Sequence, residues 1–401
     1  MSLFLQIVPV SEAVATVKTL ATRCGEESVP LGEALHRVLA RDVISDVNIP
    51  GFTRSVMDGY AVRAADTVGS SESSPAMLTL KGRVAMGTPS GLTVGPAGCV
   101  YIPTGGTLPE GADAVVMVEN TEELGDEVLV KRPVAHGENI IFYNDDFARG
   151  EVVLTSGRRL SAQDIGVLAA AGCMDVPVVK KPRVGIISTG NELIPVNEKP
   201  VPGQVRDVNT HVIASVVTDL GCVPVPYGII RDERESLSAA IRRAVDECDM
   251  ILLSGGSSKD DRDMVAALIG ELGEVLIHGV AIAPGKPTII GRCKNIPVIG
   301  LPGHPASAFI VLVAIGRHLI TTMTGDTTTP IRSLQATLKE NIPSSRGRED
   351  YIRVAVQDGV ATPLFGKSGL LNTLVQSTGI VRVPAQSEGL ETGTPVEVIL
   401  W

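Results

Sequence analysis

Residues 183–190 read RVGIISTG, an apolar run of strand-forming residues that ends in a glycine-bearing turn. Residues 249–256, DMILLSGG, and residues 297–303, PVIGLPG, follow the same plan, and runs with helical periodicity lie between them. Strands that alternate with helices build a parallel sheet with helices on both faces. Residues 180–325 are therefore predicted to form a doubly wound α/β domain.

The composition limits the classes of protein to which the chain can belong. Its 401 residues, 44% of them hydrophobic, are enough for two to four domains with a sizeable core. A net charge of −10 and an aromatic content of 3% argue against nucleic acid as a partner. The start MSLFLQIVPV lacks the basic end of a signal peptide, and the apolar run at 308–315 is too short to cross a bilayer. We therefore expect a cytoplasmic protein that binds neither nucleic acid nor membrane.

The cysteines do not indicate a metal site or a disulfide framework. They stand at positions 24, 99, 173, 222, 248 and 293, without CxxC spacing. A zinc site needs several converging ligands. We expect these residues to be buried side chains or free thiols.

Three further regions surround the α/β segment. Residues 1–50 and 146–179 are predicted to form a helical and linking domain, with helices in SEAVATVKTLATRC, LGEALHRVLA and SAQDIGVLAAAG, the last capped by Ser161. Residues 51–145 contain short strands broken by Gly and Pro, which predicts a mostly β lobe. Residues 326–401 favour a C-terminal β-barrel, with a sandwich as the alternative and a hairpin turn at Asp358-Gly359.

Four glycine-bearing turns punctuate the α/β segment, in STGNEL, SGGSSKDDRD, APGKP and LPGHPAS. In an open parallel sheet, ligands bind outside the carboxyl ends of the strands. Glycine lets the backbone approach an anion, and free N–H groups at helix starts bind it. Lys286 adds a positive charge, and Ser254, Ser257 and Ser258 can donate hydrogen bonds. A tight turn explains any one of these motifs, whereas the set favours a cleft for a phosphorylated small molecule.

Several carboxylates have both a structural and a functional interpretation. Asp263, which follows Asp260 by three residues, can cap a helix or face a Mg²⁺ ion bound to phosphate oxygens. Asp58 in SVMDGYA is a turn aspartate on its residues alone. Asp145 and Asp146 in YNDDF form either a solvated pair or metal ligands.

Nine strings of the sequence together match one family. They are SVMDGYAVR, PTGGTLPEGADAVVMVE, STGNEL, RDVNT, GIIRDE, SGGSS, PGKP, GLPGHPAS and RGREDYIRV. With these strings, in this order, the chain resembles the molybdopterin molybdenumtransferases, which include the bacterial MoeA proteins and the E domain of gephyrin. The resemblance covers nearly the whole chain.

The resemblance implies an elongated homodimer of four-domain subunits with a Mog-like central domain. It implies insertion of molybdate into adenylyl-molybdopterin with Mg²⁺, which releases AMP and the molybdenum cofactor. It also implies the pathway's molybdopterin adenylyltransferase as a partner. The catalytic residues would be Asp58, Asp146 and Asp263, with Asp263 and Asp58 as metal ligands and the active site shared between two subunits.

The substrate-binding residues that the resemblance implies lie in the four glycine-bearing turns. They are Ser188, Thr189, Gly190, Asn191, Ser254, Gly255, Gly256, Ser257, Pro284, Gly285, Lys286, Pro302, Gly303 and His304.

The chain departs from the family pattern at a few of these positions. Ala283 replaces a lysine that commonly precedes PGKP, and His304 replaces an asparagine. Residues 257–260, SSKD, replace a more usual Val-Ser-Val/Met-Gly, and Lys259 is a candidate to restore the missing charge. Asn191 is a family variant of aspartate.

Two alternatives to molybdate insertion follow from these departures and from the anion itself. The first is a molybdopterin-binding carrier or scaffold without insertion activity, because lost anion ligands could leave binding intact. The second is a paralogue that inserts tungstate, since the two oxyanions are nearly isosteric.

Overall fold

The computed structural model of the protein describes residues 7–255, 259–328 and 331–401. In the helix that begins at Lys259, side chains are described from Met264 onward. Within these residues the chain forms three six-stranded sheets, several two-stranded pairs and helices that cluster around one of the sheets.

The central sheet confirms the predicted α/β domain. Its strands, in spatial order, are Val223–Ile230, Arg183–Thr189, Met250–Ser254, Ile296–Leu301, Ile289–Cys293 and Gly273–His278. The first four are parallel, but Ile289–Cys293 runs antiparallel to both of its neighbours. The prediction of a wholly parallel sheet is therefore wrong at one strand. Only Lys294 and Asn295 separate this strand from the next, and so short a turn can join only antiparallel strands.

Helices cover both faces of this sheet, as the sequence predicted. One face packs against Val10–Leu20, Asn209–Asp219 and Pro305–Thr324. The other face packs against Arg234–Glu247 and Lys259–Leu272. Successive strand residues point to opposite faces, so Ile186 joins the first core and Ile187 the second. Both faces are buried, which explains the continuous apolar runs.

The helix Pro305–Thr324 is longer than the apolar run that the sequence suggested. It has 20 residues, and by length and composition alone it could cross a membrane. The expectation that this segment is too short is therefore wrong. The structure gives another reason for its apolar character, because 61% of its most apolar window is buried inside the protein. Its residues Ile310, Leu312 and Ile320 pack in the core beneath the sheet.

The linking region contains one predicted helix and lacks another. Ala162–Ala170 is a helix whose N-cap Ser161 forms a capping box with Asp164, as predicted. The segment LGEALHRVLA forms only a short 3₁₀ turn, Leu31–Glu33, so the predicted helix there is wrong. His36 takes a positive φ of 64°, and its N–H donates to Leu160 O, so the chain leaves the helical path. The strands here pair as Glu26–Pro30 with Asp175–Val179 and Val43–Ile44 with Val152–Leu154.

The second sheet confirms the mostly β lobe. Its strands, in spatial order, are Ala114–Met117, Gly59–Val62, Gly98–Ile102, Ala76–Arg83, Glu127–Val130 and Thr121–Leu124. Short 3₁₀ turns occur at Ala64–Thr67 and Val118–Asn120, and Arg54–Ser55 pairs with Ile140–Ile141.

The third sheet closes into a five-stranded barrel, which confirms the barrel prediction over the sandwich. The barrel strands are Ser333–Leu338, Glu349–Gln357, Val360–Pro363, Gly379–Val383 and Pro395–Leu400. Asp358 and Gly359 both have positive φ and form the predicted hairpin turn. Smaller elements are the paired strands Ile342–Pro343 and Gly389–Leu390 and the helix Asn372–Val375.

A short strand from the α/β region joins it to the barrel. Ile282–Ala283 pairs in parallel with Glu349 and Asp350 of the barrel. The PGKP turn follows this strand directly, so the pairing places the turn at the junction of the two regions. The pair Leu193–Ile194 and Val205–Arg206 lies after the first glycine-bearing turn.

The cysteines agree with the sequence prediction. All six are free thiols, and Cys99, Cys222, Cys248 and Cys293 are buried.

Candidate functional site

Buried polar groups hold the carboxyl end of the strand Arg183–Thr189. The Ser188 hydroxyl is fully buried and donates to Asp207 Oδ1 at 3.2 Å. Asp207 also accepts from the Thr210 hydroxyl at 2.6 Å and from the Thr210 N–H at 3.1 Å. Ser188 thus already has a partner inside the protein, and in this structure it shapes the strand end.

A second bridge ties two of the predicted turns together. The Asn209 amide donates to Ser254 Oγ at 2.7 Å and to Gly303 O at 2.8 Å. Its own Oδ1 is buried and has no hydrogen-bond partner among the described residues. Asn209 therefore fixes the LPGH turn relative to the end of the neighbouring strand Met250–Ser254.

Asp232 holds the STGNEL turn. Its carboxylate accepts from the Thr189 hydroxyl at 2.6 Å and from the Asn191 N–H at 3.1 Å. The Asp232 N–H donates in return to Asn191 Oδ1 at 3.3 Å. Gly190 lies between these contacts, so one half-buried carboxylate fixes the predicted site residues Thr189 to Asn191.

The PGKP and LPGH turns line one cavity of about 540 Å³. It brings together six of the predicted substrate-binding residues: Pro284, Gly285, Lys286, Pro302, Gly303 and His304. Gly285 has φ of 129°, and a Cβ there would lie 2.5 Å from Val311 Cγ2. Only glycine therefore lets the backbone turn here with the core helix packed behind it.

Thr189 and Gly255 line a much smaller space beside this cavity. Its volume is about 10 Å³, and it shares Pro287 and Pro302 with the large cavity. At Gly255 the φ is 151°, and a Cβ would lie 2.1 Å from Thr189 O. The two strand ends therefore approach as closely as glycine allows.

The far wall of the large cavity comes from the barrel. It consists of Ser345, Arg346, Gly347, Arg348 and Ser368. Together with Lys286 this wall gives the cavity three cationic side chains, and no acidic residue lines it among the side chains that the structure describes, although the chain as a whole carries a net charge of −10. The arrangement suits a small anion with several oxygen atoms.

The three cations differ in how strongly they are already paired. Arg348 Nε lies 2.9 Å from Oδ1 of the buried Asp350. Arg346 Nε lies 3.3 Å from Glu388 Oε1, and both side chains are more than 70% exposed, so that pair is weak. Among the described residues Lys286 forms no ion pair. Lys286 therefore has its full charge available for a ligand.

His304 connects the LPGH turn to the barrel. Its Nδ1 lies 2.8 Å from Ser368 Oγ, and the Ala306 N–H donates to Ser368 O at 3.2 Å. Ser307, in the first turn of the helix Pro305–Thr324, also lines the cavity. The helix therefore begins at the cavity wall, where its partial positive charge favours an anion.

Asp58 of the β lobe and Asp146, the first residue after it, line neither cavity of the same chain. Asp58 Oδ1 accepts from the N–H of Thr104 at 2.7 Å and from its hydroxyl at 3.0 Å. These bonds hold the pKa of the Asp58 carboxyl below its usual value. Asp146 is exposed in a turn, where its N–H donates to Ile49 O at 2.9 Å. Asp58 and Asp146 are therefore not brought to the cavity of their own chain.

Three predicted site residues lie outside the described part of the site. They are Gly256, Ser257 and the side chain of Asp263. The side chain of Lys259, proposed above to restore a charge, is outside it as well. Among residues 7–255, 259–328 and 331–401, no three His, Cys, Asp or Glu side chains converge as a metal site.

The sequence reasoning missed the barrel wall and the internal supports. Arg346 and Arg348 stand in RGREDYIRV, Asp232 in GIIRDE and Asn209 in RDVNT, strings that were noted only as family signatures. The two nearby arginines were the one signal that could have suggested an anion site. Ser368 has no such signal, because only the fold brings it to the cavity.

The chain matches three family models that together span most of its length. They are the "MoeA N-terminal region (domain I and II)" at residues 8–172, the "Probable molybdopterin binding domain" at 185–322 and the "MoeA C-terminal region (domain IV)" at 335–401.

Curated relatives and solved structures resemble the chain over nearly its full length. A molybdopterin molybdenumtransferase of Bacillus subtilis is 34% identical over 98% of this chain and 94% of the relative. One of Staphylococcus aureus is 30% identical over 98% and 95%. The crystal structure of a molybdopterin biosynthesis MoeA protein from Pyrococcus horikoshii OT3 has a TM-score of 0.88 at 33% identity, covering 99% of this chain and 100% of that one.

Proposed function

The chain belongs to the MoeA family of molybdopterin molybdenumtransferases, and on that premise we propose that it inserts molybdate into adenylyl-molybdopterin. The observation that carries this proposal is the cationic cavity between the PGKP and LPGH turns and the barrel. Molybdate is a small dianion with four oxygen atoms. The lining offers it cationic side chains, serine hydroxyls and a helix start.

Each group of the cavity has a distinct role in this proposal. Lys286, Arg346 and Arg348 bind the oxyanion and offset its charge while the two sulfurs of the pterin dithiol replace one oxygen of molybdate, which leaves as water with the two thiol protons. Gly285 lets the PGKP turn form at the cavity wall against the core helix. Asp232 and Asn209 keep the two neighbouring turns in place. Catalysis in this scheme is mainly positioning and electrostatics.

Mg²⁺ fits this site as an ion that enters bound to the phosphate oxygens of the substrate. Such ions usually take one or two protein carboxylates together with phosphate oxygens, so the described residues need not form a complete cage. Asp58 is exposed, and with its lowered pKa it is charged at neutral pH, so it would hold the ion or its waters together with Asp263. The ion would supply charge neutralisation at the phosphoanhydride as AMP leaves.

We propose that the complete active site lies between two subunits. Asp58 of the β lobe and Asp146, the first residue after it, are exposed and do not line the cavity of their own chain. Three exposed large apolar side chains, Phe52, Met57 and Tyr143, lie near them in the sequence. An exposed apolar group of this kind favours an interface. Light scattering should therefore give the mass of a dimer, and a monomer mass at working concentration would oppose the shared site.

Three further parts of the proposal rest on the family alone. The chain is divided into the four domains given above, with boundaries near residues 50, 145, 179 and 325. It works in the cytoplasm, and the pathway's molybdopterin adenylyltransferase delivers its substrate.

The helix Val10–Leu20, from the linking domain, packs in the core of the α/β sheet, so these two domains share a core.

AMP release tests the proposed reaction. Purified protein with adenylyl-molybdopterin, Mg²⁺ and molybdate should release AMP and form cofactor in equal amounts, and omission of molybdate should prevent cofactor formation. Tight pterin binding without AMP release above background would instead support the carrier or scaffold. A higher rate with tungstate than with molybdate would make the chain a tungstate-inserting paralogue.

A further inference from the structure

A buried arginine in the barrel has no carboxylate partner among the described residues. Arg353 is only 6% exposed, and it stands in the strand Glu349–Gln357, which directly follows the cavity-wall residues 345–348. Burial lowers the pKa of its guanidinium group, which means that the barrel disfavours the charge. A buried charge lowers the stability of the fold unless its N–H groups donate hydrogen bonds to well-placed acceptors.

The guanidinium group of Arg353 donates its hydrogen bonds to a single loop. Nη1 donates to Thr373 Oγ1 at 2.6 Å, and Nη2 donates to Gly366 O at 2.7 Å. These two acceptors stand at the two ends of residues 366–373. The guanidinium group therefore clamps this loop at both ends against the barrel strand.

The clamped loop carries Ser368 to the cavity. Ser368 lines the cavity, and its hydroxyl and carbonyl contact His304 and the Ala306 N–H. No other described residue of the loop lines the cavity. The loop thus presents one hydroxyl to the ligand, between the barrel and the start of the core helix.

We propose that Arg353 is a positioning residue of the oxyanion cavity, which acts by holding Ser368 in place. This proposal rests on the proposed function, because it takes the cavity to be the molybdate site. Arg353 itself does not line the cavity. Its side-chain hydrogen bonds lead to the cavity through the loop, and this link separates the proposal from a general role in barrel stability.

A double-mutant cycle tests the connection, with molybdate alone as the probe in titration calorimetry. Arg353→Met and Ser368→Ala should each weaken molybdate binding by about 10-fold, since each removes one well-placed hydrogen bond to an anion. The double variant should be little weaker than either single variant, because both changes remove the same contact. Independent effects would multiply to about 100-fold and would overturn the proposal.

Val354→Ala is the matched control for barrel stability. Val354 is the next residue of the same strand, fully buried in the barrel core and absent from the cavity lining. It should lower the melting temperature and leave molybdate binding of the folded protein unchanged. If Val354→Ala and Arg353→Met lose molybdate binding equally, Arg353 has only a structural role in the barrel.

Thr373→Val tests the same contact if the Arg353→Met variant does not fold. It removes one acceptor of Arg353 and retains the side-chain shape, so molybdate binding should weaken by about 3-fold or more. Thr373→Ser should restore it, and unchanged binding in Thr373→Val would overturn the proposal. If the wild-type protein itself does not bind molybdate, the proposed anion site fails, which is a different result from a failure of the loop clamp.

Discussion

Lys286→Met should lower the rate of AMP release by about 100- to 1,000-fold, the loss expected when a preorganised group that stabilises developing charge is removed. Lys286 lines the cavity, and among the described residues it has no ion-pair partner. Its charge is therefore free to act on the ligand, whereas Arg348 is already paired with Asp350. The measurement is single-turnover AMP release with molybdate present.

The control for Lys286→Met is Lys339→Met. Lys339 is an exposed lysine that does not line the cavity, and its loss should leave the rate unchanged. Calorimetry should show in parallel that Lys286→Met weakens molybdate binding. Wild-type AMP release in a folded Lys286→Met protein would remove this lysine from the mechanism and place the anion elsewhere.

Asp58→Asn should lower AMP release by about 100-fold through the loss of a negative charge. The amide oxygen can still accept the hydrogen bonds from the Thr104 N–H and hydroxyl, so the loop should keep its shape. Because these bonds hold the pKa of Asp58 below its usual value of 3.8, the carboxylate stays charged as the pH falls to that value. The wild-type rate should therefore show no acid limb from Asp58 above about pH 4.

Asp66→Asn is the control for Asp58→Asn. Asp66 lies in the same lobe, and its Oδ2 accepts the Ala97 N–H at 2.9 Å, much as Asp58 accepts that of Thr104. The control should release AMP at the wild-type rate. Equal losses in the two variants would mean that Asp58 serves only to hold its loop.

The fold was largely predictable because local patterns decide it. The apolar runs that end in glycine predicted the strands of the central sheet, and the capping box at Ser161 predicted the start of a helix. The segment LGEALHRVLA was mispredicted because its apolar spacing is helical, whereas Val38 and Leu39 bridge to distant strands. Such tertiary pairing overrides local preference.

The cavity was predictable only on one side. The glycine-bearing turns indicated the wall that contains Gly285 and Gly303, since glycine at strand ends is a local signal. The opposite wall, with Arg346, Arg348 and Ser368, lies 40 or more residues later in the chain and arrives through the pairing of Ile282–Ala283 with the barrel. No local pattern predicts that pairing.

Three departures from the family pattern, at positions 191, 283 and 304, have clear places in the structure, whereas the SSKD segment at 257–260 lies outside the described side chains. His304 contacts Ser368, and Asn191 exchanges hydrogen bonds with Asp232, so both residues support the turns that carry them. Ala283 lines the cavity in the strand beside the barrel. Arg346 lines the same cavity and forms only a weak, exposed ion pair with Glu388. Because this pair is weak, Arg346 can bind an incoming anion instead.

The rate of AMP release by a mixed dimer tests most directly the claim that two subunits build one active site. Subunits carrying Asp58→Asn and subunits carrying Lys286→Met would be co-expressed with different affinity tags, and the heterodimer would be purified through both. In a symmetric dimer with shared sites, one site receives both defects and the other receives neither. The heterodimer should therefore release AMP at about half the wild-type rate, while both parent homodimers remain nearly inactive. A heterodimer no faster than its parents would contradict the shared site.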